Sequence, residues 1–346
     1  MNKVPQVVIV GGGFGGTYTA RYLMSAVRRG EIKVTLINRT NYFLFTPLLH
    51  EVATGGLSPT ATAEPLREIF SGSGVTIRES EVSGVDPARK VVSTDDGEVP
   101  HDYLVVSAGA ETNFYGIPGA ALHSLVLKNL ADAVKIRDRV VESFEQAVTL
   151  EPSERAKKLS FVVVGGGATG VELVTELAEL IHDTLCPYYG SKGKTCHAAT
   201  ITLVSSDQDL LAVFPPRMRA TAKAVLKRKG INLRLGVKVT EVTVEEIKFS
   251  DGSSLPASVV FWTAGVKPSP LGLPEAERHP NGRIIIDEYL RAKGVENIFV
   301  IGDLAAPLPM LAQVAVEQAR VLAGNILALL ITVKLQRMQM AYPKNV

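Results

Sequence analysis

Cysteine is scarce in this chain: 346 residues hold two. Cys186 and Cys196 are too far apart for a C-x-x-C redox pair and do not have metal-ligand spacing, so two free thiols in a reducing compartment are expected. With no cysteine before Cys186, a disulfide reductase built on C-x-x-C or C-x4-C is excluded. Charge of one sign is also missing. The formal net charge is +2 and no Lys/Arg run is long, so no nucleic-acid partner is expected. The N-terminus lacks a basic segment followed by a removable apolar one, which argues against secretion. Long apolar runs are absent too. The most apolar late stretch, Leu322–Leu335, is broken by Gly324, Asn325 and Lys334 and falls short of the roughly 20 residues a membrane span needs. Peripheral attachment is compatible with that pattern.

What is present is 46% hydrophobic residues, 21% charged residues and 30 glycines, the composition of a soluble α/β protein. The length favours two domains. Val7–Val10 reads as a buried parallel strand running into Gly11, Gly13 and Gly16, a G-x-G-x-x-G loop with Phe14 and Gly15 inside it, then a helix to about Arg28. The three glycines allow a tight turn, close approach of a pyrophosphate and close packing of helix on strand. The second strand, Lys33–Ile37, should end in an acid for a ribose hydroxyl. Asn38 stands there instead, followed by Arg39, a residue suited to lie over an adenine ring. The next stretch, Asn41–Gly55, is aromatic and interrupted by Pro47; it is either a buried loop or the lining for a flat ring system. His50 within it is assigned no role.

Short strands with turns fill Val75–Val105, with a hairpin turn at Asp95–Gly97. The last of them ends in Ala108 and Gly109, small residues that let backbone approach a cofactor. Pro118–Gly119 marks a junction, and Asn129 caps a helix to about Leu150 that is read as packing. The opening plan then repeats: strand Leu159–Val164, loop glycines Gly165, Gly167 and Gly170 enclosing Ala168 and Thr169, and a helix carrying Glu172. The strand Ile201–Val204 again lacks its acid, with Ser205 at the end and Asp207 slightly late. Val259–Gly265, ending in Ala264 and Gly265, echoes the Ala108–Gly109 region. The tail departs from the repeat. Asn297–Asp303 is a strand ending in Gly302 and Asp303, and a helix runs from about Met310 to Val333 with Gln313 and Glu317 on one face.

Two dinucleotide loops imply two nucleotides, each pyrophosphate at a helix N-terminus. A bound flavin nucleotide and an exchangeable nicotinamide nucleotide suit the pattern. Asp303 is then either a partner of the flavin's ribityl or phosphate region or an ordinary cap. Glu172 is either an acid complementing the helix dipole or a group beside the nicotinamide.

The chain resembles the type II NADH dehydrogenases, the single-subunit, non-proton-pumping NADH:quinone oxidoreductases of the two-dinucleotide-binding-domain flavoproteins. The residues that carry the resemblance are Val10–Gly16, Asn41–Leu49 with Glu51–Gly55, Val164–Glu172, Phe261–Val266, Val300–Asp303 and Ala312–Gln318. It runs from about Val7 to Leu330, and Asn41–Gly55 and Ala312–Gln318 are its discriminating segments. It implies an α/β fold of two Rossmann-like domains, the second inserted in the first. The FAD domain would take 1–125 and 280–332, a connecting helix 126–158, the NAD(P)H domain 159–279, and a short tail 333–346. FAD would lie on the first loop with Thr46 and Pro47 near its rings and Asp303 on the ribityl side. NADH would lie on the second loop with Glu172 close to the nicotinamide. Ala312 and Gln313, with Glu317 or Gln318, would line the pocket for a quinone, menaquinone or ubiquinone. The reaction would need no metal. A cytoplasmic location, or peripheral contact on the cytoplasmic face of the cell membrane, and a homodimer are the expected associations.

Three departures from the family pattern matter. Glu317 replaces the second Gln of Ala-Gln-x-Ala-x-Gln. Ser205 replaces an acid that repels a 2′-phosphate, so NADPH joins NADH as a substrate to consider. The chain also ends at Val346, soon after Gln318, where relatives continue into amphipathic membrane-gripping helices, so a short or missing anchor is expected. A sulfide:quinone oxidoreductase would need cysteines beside the flavin, and none is there. A soluble reductase feeding a small protein carrier, and a non-catalytic FAD/NAD(H)-binding sensor, are the alternatives.

Overall fold

A computed structural model describes residues 3–189, 198–271, 273, 275–330 and 335–338. In chain order, the elements that position the sites begin with β1 (Gln6–Val10), α1 (Phe14–Arg28), β2 (Lys33–Asn38) and α2 (Leu49–Thr54). β3 (Thr76–Glu79), β4 (Tyr103–Val106), β5 (Ser124–Val126) and α3 (Leu130–Ala147) follow. Then come β6 (Ser160–Val164), α4 (Ala168–Glu179), β7 (Thr200–Ser205), α5 (Pro216–Arg228) and β8 (Asn232–Leu235). The last are β9 (Val259–Trp262), β10 (Ile298–Val300) and α6 (Ala312–Leu330).

The chain forms two compact units. The first gathers Met1–Leu44, Ala63–Glu111 and Lys267–Lys344; the second gathers Phe45–Thr62 and Thr112–Val266. The first unit is built on a five-stranded parallel sheet in the order β10-β4-β1-β2-β3. β1 is its central strand, and Val7, Val8 and Ile9 are fully buried. A strand covered on both faces must be apolar at every position, which is why this run shows no alternation. α1 packs along α6, and both bury their apolar stripes in the same core as the sheet.

The second unit repeats the plan: a five-stranded parallel sheet ordered β5-β9-β6-β7-β8. Its central β6 is buried throughout. Each unit also carries a three-stranded antiparallel sheet, spanning Val82–Pro100 in the first and Val239–Pro256 in the second. The first contains the hairpin expected from the turn at Asp95–Gly97. The fold class is therefore α/β with two Rossmann-like units. α3 is fixed by a reciprocal cap: Asn129 Oδ1 accepts from the Asp132 N–H at 2.9 Å, and Asp132 accepts from the Asn129 N–H at 3.0 Å.

Asn41–Gly55 is not one irregular loop. Tyr42–Leu44 pairs as a short strand with Ala63–Pro65 in the first unit, while a single turn at Thr46–Leu48 and α2 belong to the second. The cysteine expectation needs correction: Cys186 is disulfide-bonded rather than free, and Cys196 lies outside the described residues. Among the described residues, no helix is long and apolar enough to cross a membrane.

Candidate functional site: two glycine cradles

In the first unit, β1 turns into α1 through Gly11, which sits at φ +101, a left-handed conformation open to glycine. A Cβ there would strike the Ser107 carbonyl, and one at Gly16 would strike the Gly11 carbonyl. Around Gly13, by contrast, nothing lies within 4 Å of the Cβ position. The loop is thus packed on its inner side and bare on its outer side. Gly13 caps α1 without a side-chain hydrogen bond, which leaves the positive helix end for an anion.

Asn38, at the end of β2, folds back over this loop. Its Oδ1 accepts from the Gly12 N–H at 2.8 Å, and its Nδ2 donates to the Thr40 carbonyl at 2.9 Å. Only the second Oδ1 lone pair remains for a ribose hydroxyl. Arg39 is exposed and lies 3.9 Å from Glu81. Phe14 and Phe43 meet edge to face at 5.1 Å, closing the loop's flank. After β4, Ala108 and Gly109 follow Ser107, with Gly109 at φ +68 and open space beside it. Gly302 and Asp303 form a tight turn after β10.

That turn is held from beneath by Gln318, which is fully buried; its Oε1 accepts from the Gly302 N–H at 2.7 Å. Glu317, its neighbour, instead faces outward and pairs with Arg320 at 2.5 Å, which lowers the Glu317 carboxyl. Gln313 is exposed on the first turn of α6, and Ala312 is half-buried. Gln318 is therefore turned to the interior, whereas Gln313 and Glu317, four apart on α6, lie on its exposed side, and of these three only Gln318 has a described hydrogen bond to the Gly302 turn.

Sequence reasoning missed Arg283. It is 7% exposed and donates to three carbonyls of the same segment, those of Asp303, Ala305 and Leu308. Burial lowers its pKa and the Asp303 charge opposes that shift. The available signal was an arginine opening the apolar run Ile284–Ile286.

The second unit rebuilds the cradle with different side chains. Gly165 is at φ +128, and a Cβ there would lie 2.5 Å from Thr263 Oγ1. Gly170 packs against the Gly165 carbonyl as Gly16 does against Gly11. Gly167 has nothing within 4 Å of its Cβ position and caps α4 without a side chain; Ala168 and Thr169 are exposed beside it. Ser205 Oγ accepts from the Asp207 N–H at 3.2 Å rather than bracing the loop as Asn38 does. A cleft of about 550 Å³ opens here, lined by the loop, Ser205–Asp207, Lys238 and Trp262–Gly265. Ala264 and Gly265 form part of its wall. Tyr115, not foreseen, also lines it; its hydroxyl donates to the Ala264 carbonyl at 3.2 Å and its ring covers Gly265.

Glu172 is half-exposed on α4, with Oε2 3.7 Å from His50 Nδ1 of α2. Thr46 and Pro47 are exposed at the turn that leads into α2.

The sequence profile described as pyridine nucleotide-disulphide oxidoreductase matches residues 5–319. External alternative NAD(P)H-ubiquinone oxidoreductase B2 of Arabidopsis thaliana mitochondria is 33% identical over 325 residues, 88% of this chain and 54% of that protein. Type II NADH:quinone oxidoreductase Ndh of Mycobacterium tuberculosis is 34% identical over 344 residues, 93% of this chain and 72% of that protein. Among solved structures, NDH2 from Plasmodium falciparum in complex with NADH aligns with a TM-score of 0.80 at 26% identity, covering 88% of this chain and 65% of that one. The chain thus spans about half the length of the plant relative it matches.

Proposed function

The chain belongs to the pyridine nucleotide-disulphide oxidoreductase family, on its type II NADH:quinone oxidoreductase branch, and from that premise we propose that it oxidises NADH and reduces a quinone through bound FAD, without pumping protons. The observation that carries this reading is the pairing of two bare glycine cradles in one chain with a Gln313-bearing helix braced to the Gly302–Asp303 turn.

The residues of the first cradle fit a dinucleotide. The Gly13 side is open, Gly13 brings no side-chain cap to α1, and the inner face tolerates no side chain. We assign FAD to Gly11, Gly13, Phe14, Gly15 and Gly16, with Asn38 and Arg39 toward the adenosine. Ala108, Gly109, Gly302 and Asp303 take the middle of the molecule, and Thr46 and Pro47 stand near the rings. When bound, FAD supplies the two-electron relay between a hydride donor and a quinone. The chain's own work is to bind and orient. Gln318 and Arg283 hold the Gly302–Leu308 segment so that its amides keep fixed directions. Such preorganisation spares the site reorganisation when charge moves.

The second cradle receives the nicotinamide nucleotide on Gly165, Gly167, Ala168, Thr169 and Gly170, with Ser205 at the ribose and Ala264, Gly265 and Glu172 toward the nicotinamide. The absence of an acid at Ser205 extends the reading to NADPH, because nothing at that position repels a 2′-phosphate. Gln313, with Ala312 and Glu317, meets the quinone, menaquinone or ubiquinone. The first domain accordingly serves FAD and the second NAD(P)H. A homodimer attached peripherally to the cytoplasmic face of the membrane completes the proposal.

The visible spectrum of the purified protein tests it. Flavin bands that bleach on adding NADH and return with a soluble quinone are expected, with continuous turnover when both are present. No flavin bands, or return only with a carrier protein, would overturn the quinone reading. Bleaching without turnover would make the protein a sensor.

A further inference from the structure

His50 has no role in the reaction as described, yet it sits among carboxylates. Glu172, Glu176 and Glu179 follow one another along α4 at helical i, i+4 and i+7 positions, so they share a side. α2 packs on this helix and on α3, and contributes Glu51 and His50. From α3, Arg137 lies against Gly55 and is paired with Asp138. Lys229 is paired with Glu179 at 2.5 Å. His50 is therefore the cation available to Glu172 among the described ion pairs. Its side chain is 16% exposed, against 50% for Glu172. At 3.7 Å the contact is too long for a hydrogen bond and is an attraction only while the imidazole is protonated.

Glu176 shows the cost of crowding acids here: burial raises its carboxyl, Glu179 and Glu51 push the same way, and His50 opposes them. Histidine is the side chain that gains and loses charge near neutral pH. A carboxylate facing it is held when it is charged and released, among like charges, when it is not.

We propose that His50 is a positioning residue for Glu172: its imidazolium holds the carboxylate in place, so that affinity for the reduced nicotinamide nucleotide follows the charge on His50. This rests on the reading that Glu172 stands beside the nicotinamide. Neither a bond nor an electron moves at His50. It acts through the orientation of another group.

The test uses the flavin-loaded full chain, with KM for NADH and kcat followed from pH 5.5 to 8.5, about the range over which imidazoles change charge. His50→Gln keeps the size and loses the charge; His50→Lys keeps a cation. In His50→Gln the KM for NADH should rise about fivefold at the acid end, a shift typical of one lost pairwise contact, with kcat within about twofold. The wild-type KM should rise with pH, the His50→Lys KM should stay low across the range, and His50→Gln should be high throughout. In Glu172→Gln, adding His50→Gln should change KM no further. A wild-type KM and pH profile in His50→Gln overturns the proposal, as does a His50→Lys variant as weak as His50→Gln. Should His50→Gln fail to hold flavin, the wild type and His50→Lys decide, and parallel pH profiles overturn the proposal. A wild type whose flavin NADH cannot bleach overturns the underlying reading as well, whereas bleaching with an indifferent His50→Gln overturns only this one.

Discussion

The two glycine cradles share a backbone plan and differ in how tightly each is closed. In the first, Asn38 ties the Gly12 N–H, Phe14 and Phe43 seal the flank, and Gln318 and Arg283 pin the neighbouring turn. In the second, the residue equivalent to Asn38 is Ser205, which bonds its own turn, and a cleft of about 550 Å³ stays open beside the loop. The difference supports the proposed division of the two nucleotides between them. A resident cofactor gains from a cradle whose parts are fixed before it arrives, because less ordering is left to do on binding. A substrate that must leave on every turnover gains from an open one. The same motif can serve both ends because the glycines set only the approach of the phosphates; the surrounding side chains set the rest.

The largest effect should come from breaking the glycines themselves. Gly16→Val and Gly170→Val each drive a side chain into the carbonyl of the loop's first glycine. Overpacking of this kind costs about 1–3 kcal/mol, occasionally more. If the two cradles are divided as proposed, the readouts separate. Gly16→Val should be purified without flavin colour, and Gly170→Val should keep its flavin and lose bleaching by NADH. Loss of colour in both would mean that the second cradle also governs flavin retention.

Next is Arg283→Met, which removes a buried cation from three carbonyls. Each acceptor left stranded costs about 1–3 kcal/mol, and the lost packing adds to it. Chemical denaturation should show the loss, and flavin release should accelerate. The second unit has no such staple under its loop among the described hydrogen bonds, so the flavin-free protein should lose less of its NADH-site stability than of its flavin-site stability.

Arg283 also marks how far the sequence could be read. The strands, loops, hairpins and the repeat itself are written in local patterns: unbroken apolar runs for the buried sheets, G-x-G-x-x-G for the turns, and Asp-Asp-Gly for a hairpin. Gly11, Gly16, Gly165 and Gly170 meet neighbouring groups closely, and Gly13 and Gly167 face open space. The partners that close the first cradle come from far along the chain, however, and no local period announces them. Asn38 looked like an imperfect ribose ligand, and the structure spends most of its amide on Gly12 and Thr40. Gln318 looked interchangeable with Glu317, yet one is wholly buried and the other pairs with Arg320 at the surface. The 3.6-residue period places the two on different faces, but which face meets the Gly302 turn is decided by the packing of α6 on the sheet.

The comparison extends to acid stability. His101, two residues before β4, is 5% exposed with neither ring nitrogen bonded, and Ala257 occupies the same place before β9. Burial first, then Lys90, pushes the His101 pKa down to about 4, with Asp102 opposing. The native imidazole is thus neutral where the unfolded chain, titrating near 6.5, binds a proton. Stability is complete above about 6.5 and is lost as pH falls toward 4. Between pH 7 and pH 5 the loss should be about 2 kcal/mol. Denaturation at the two pH values should show it, and His101→Leu should remove most of that difference. An unchanged pH response in His101→Leu would place the acid sensitivity elsewhere.

The smallest effect isolates the two strand-end residues. Asn38→Ala frees the Gly12 N–H and the Thr40 carbonyl, while Ser205→Ala removes one longer bond to the Asp207 amide. A typical hydrogen bond contributes about 0.5–1.5 kcal/mol net. Asn38→Ala should therefore weaken flavin binding by about tenfold, the equivalent of about 1.4 kcal/mol. Ser205→Ala should change the KM for NADH by less than about threefold, because its bond steadies the turn and not the loop amides. Flavin retention during dialysis and initial-rate kinetics measure the two. Equal effects would mean that Asn38 contributes only what any hydrogen bond does. A larger effect at Asn38 would mean that a loop amide held in advance is what separates a cofactor's cradle from a substrate's.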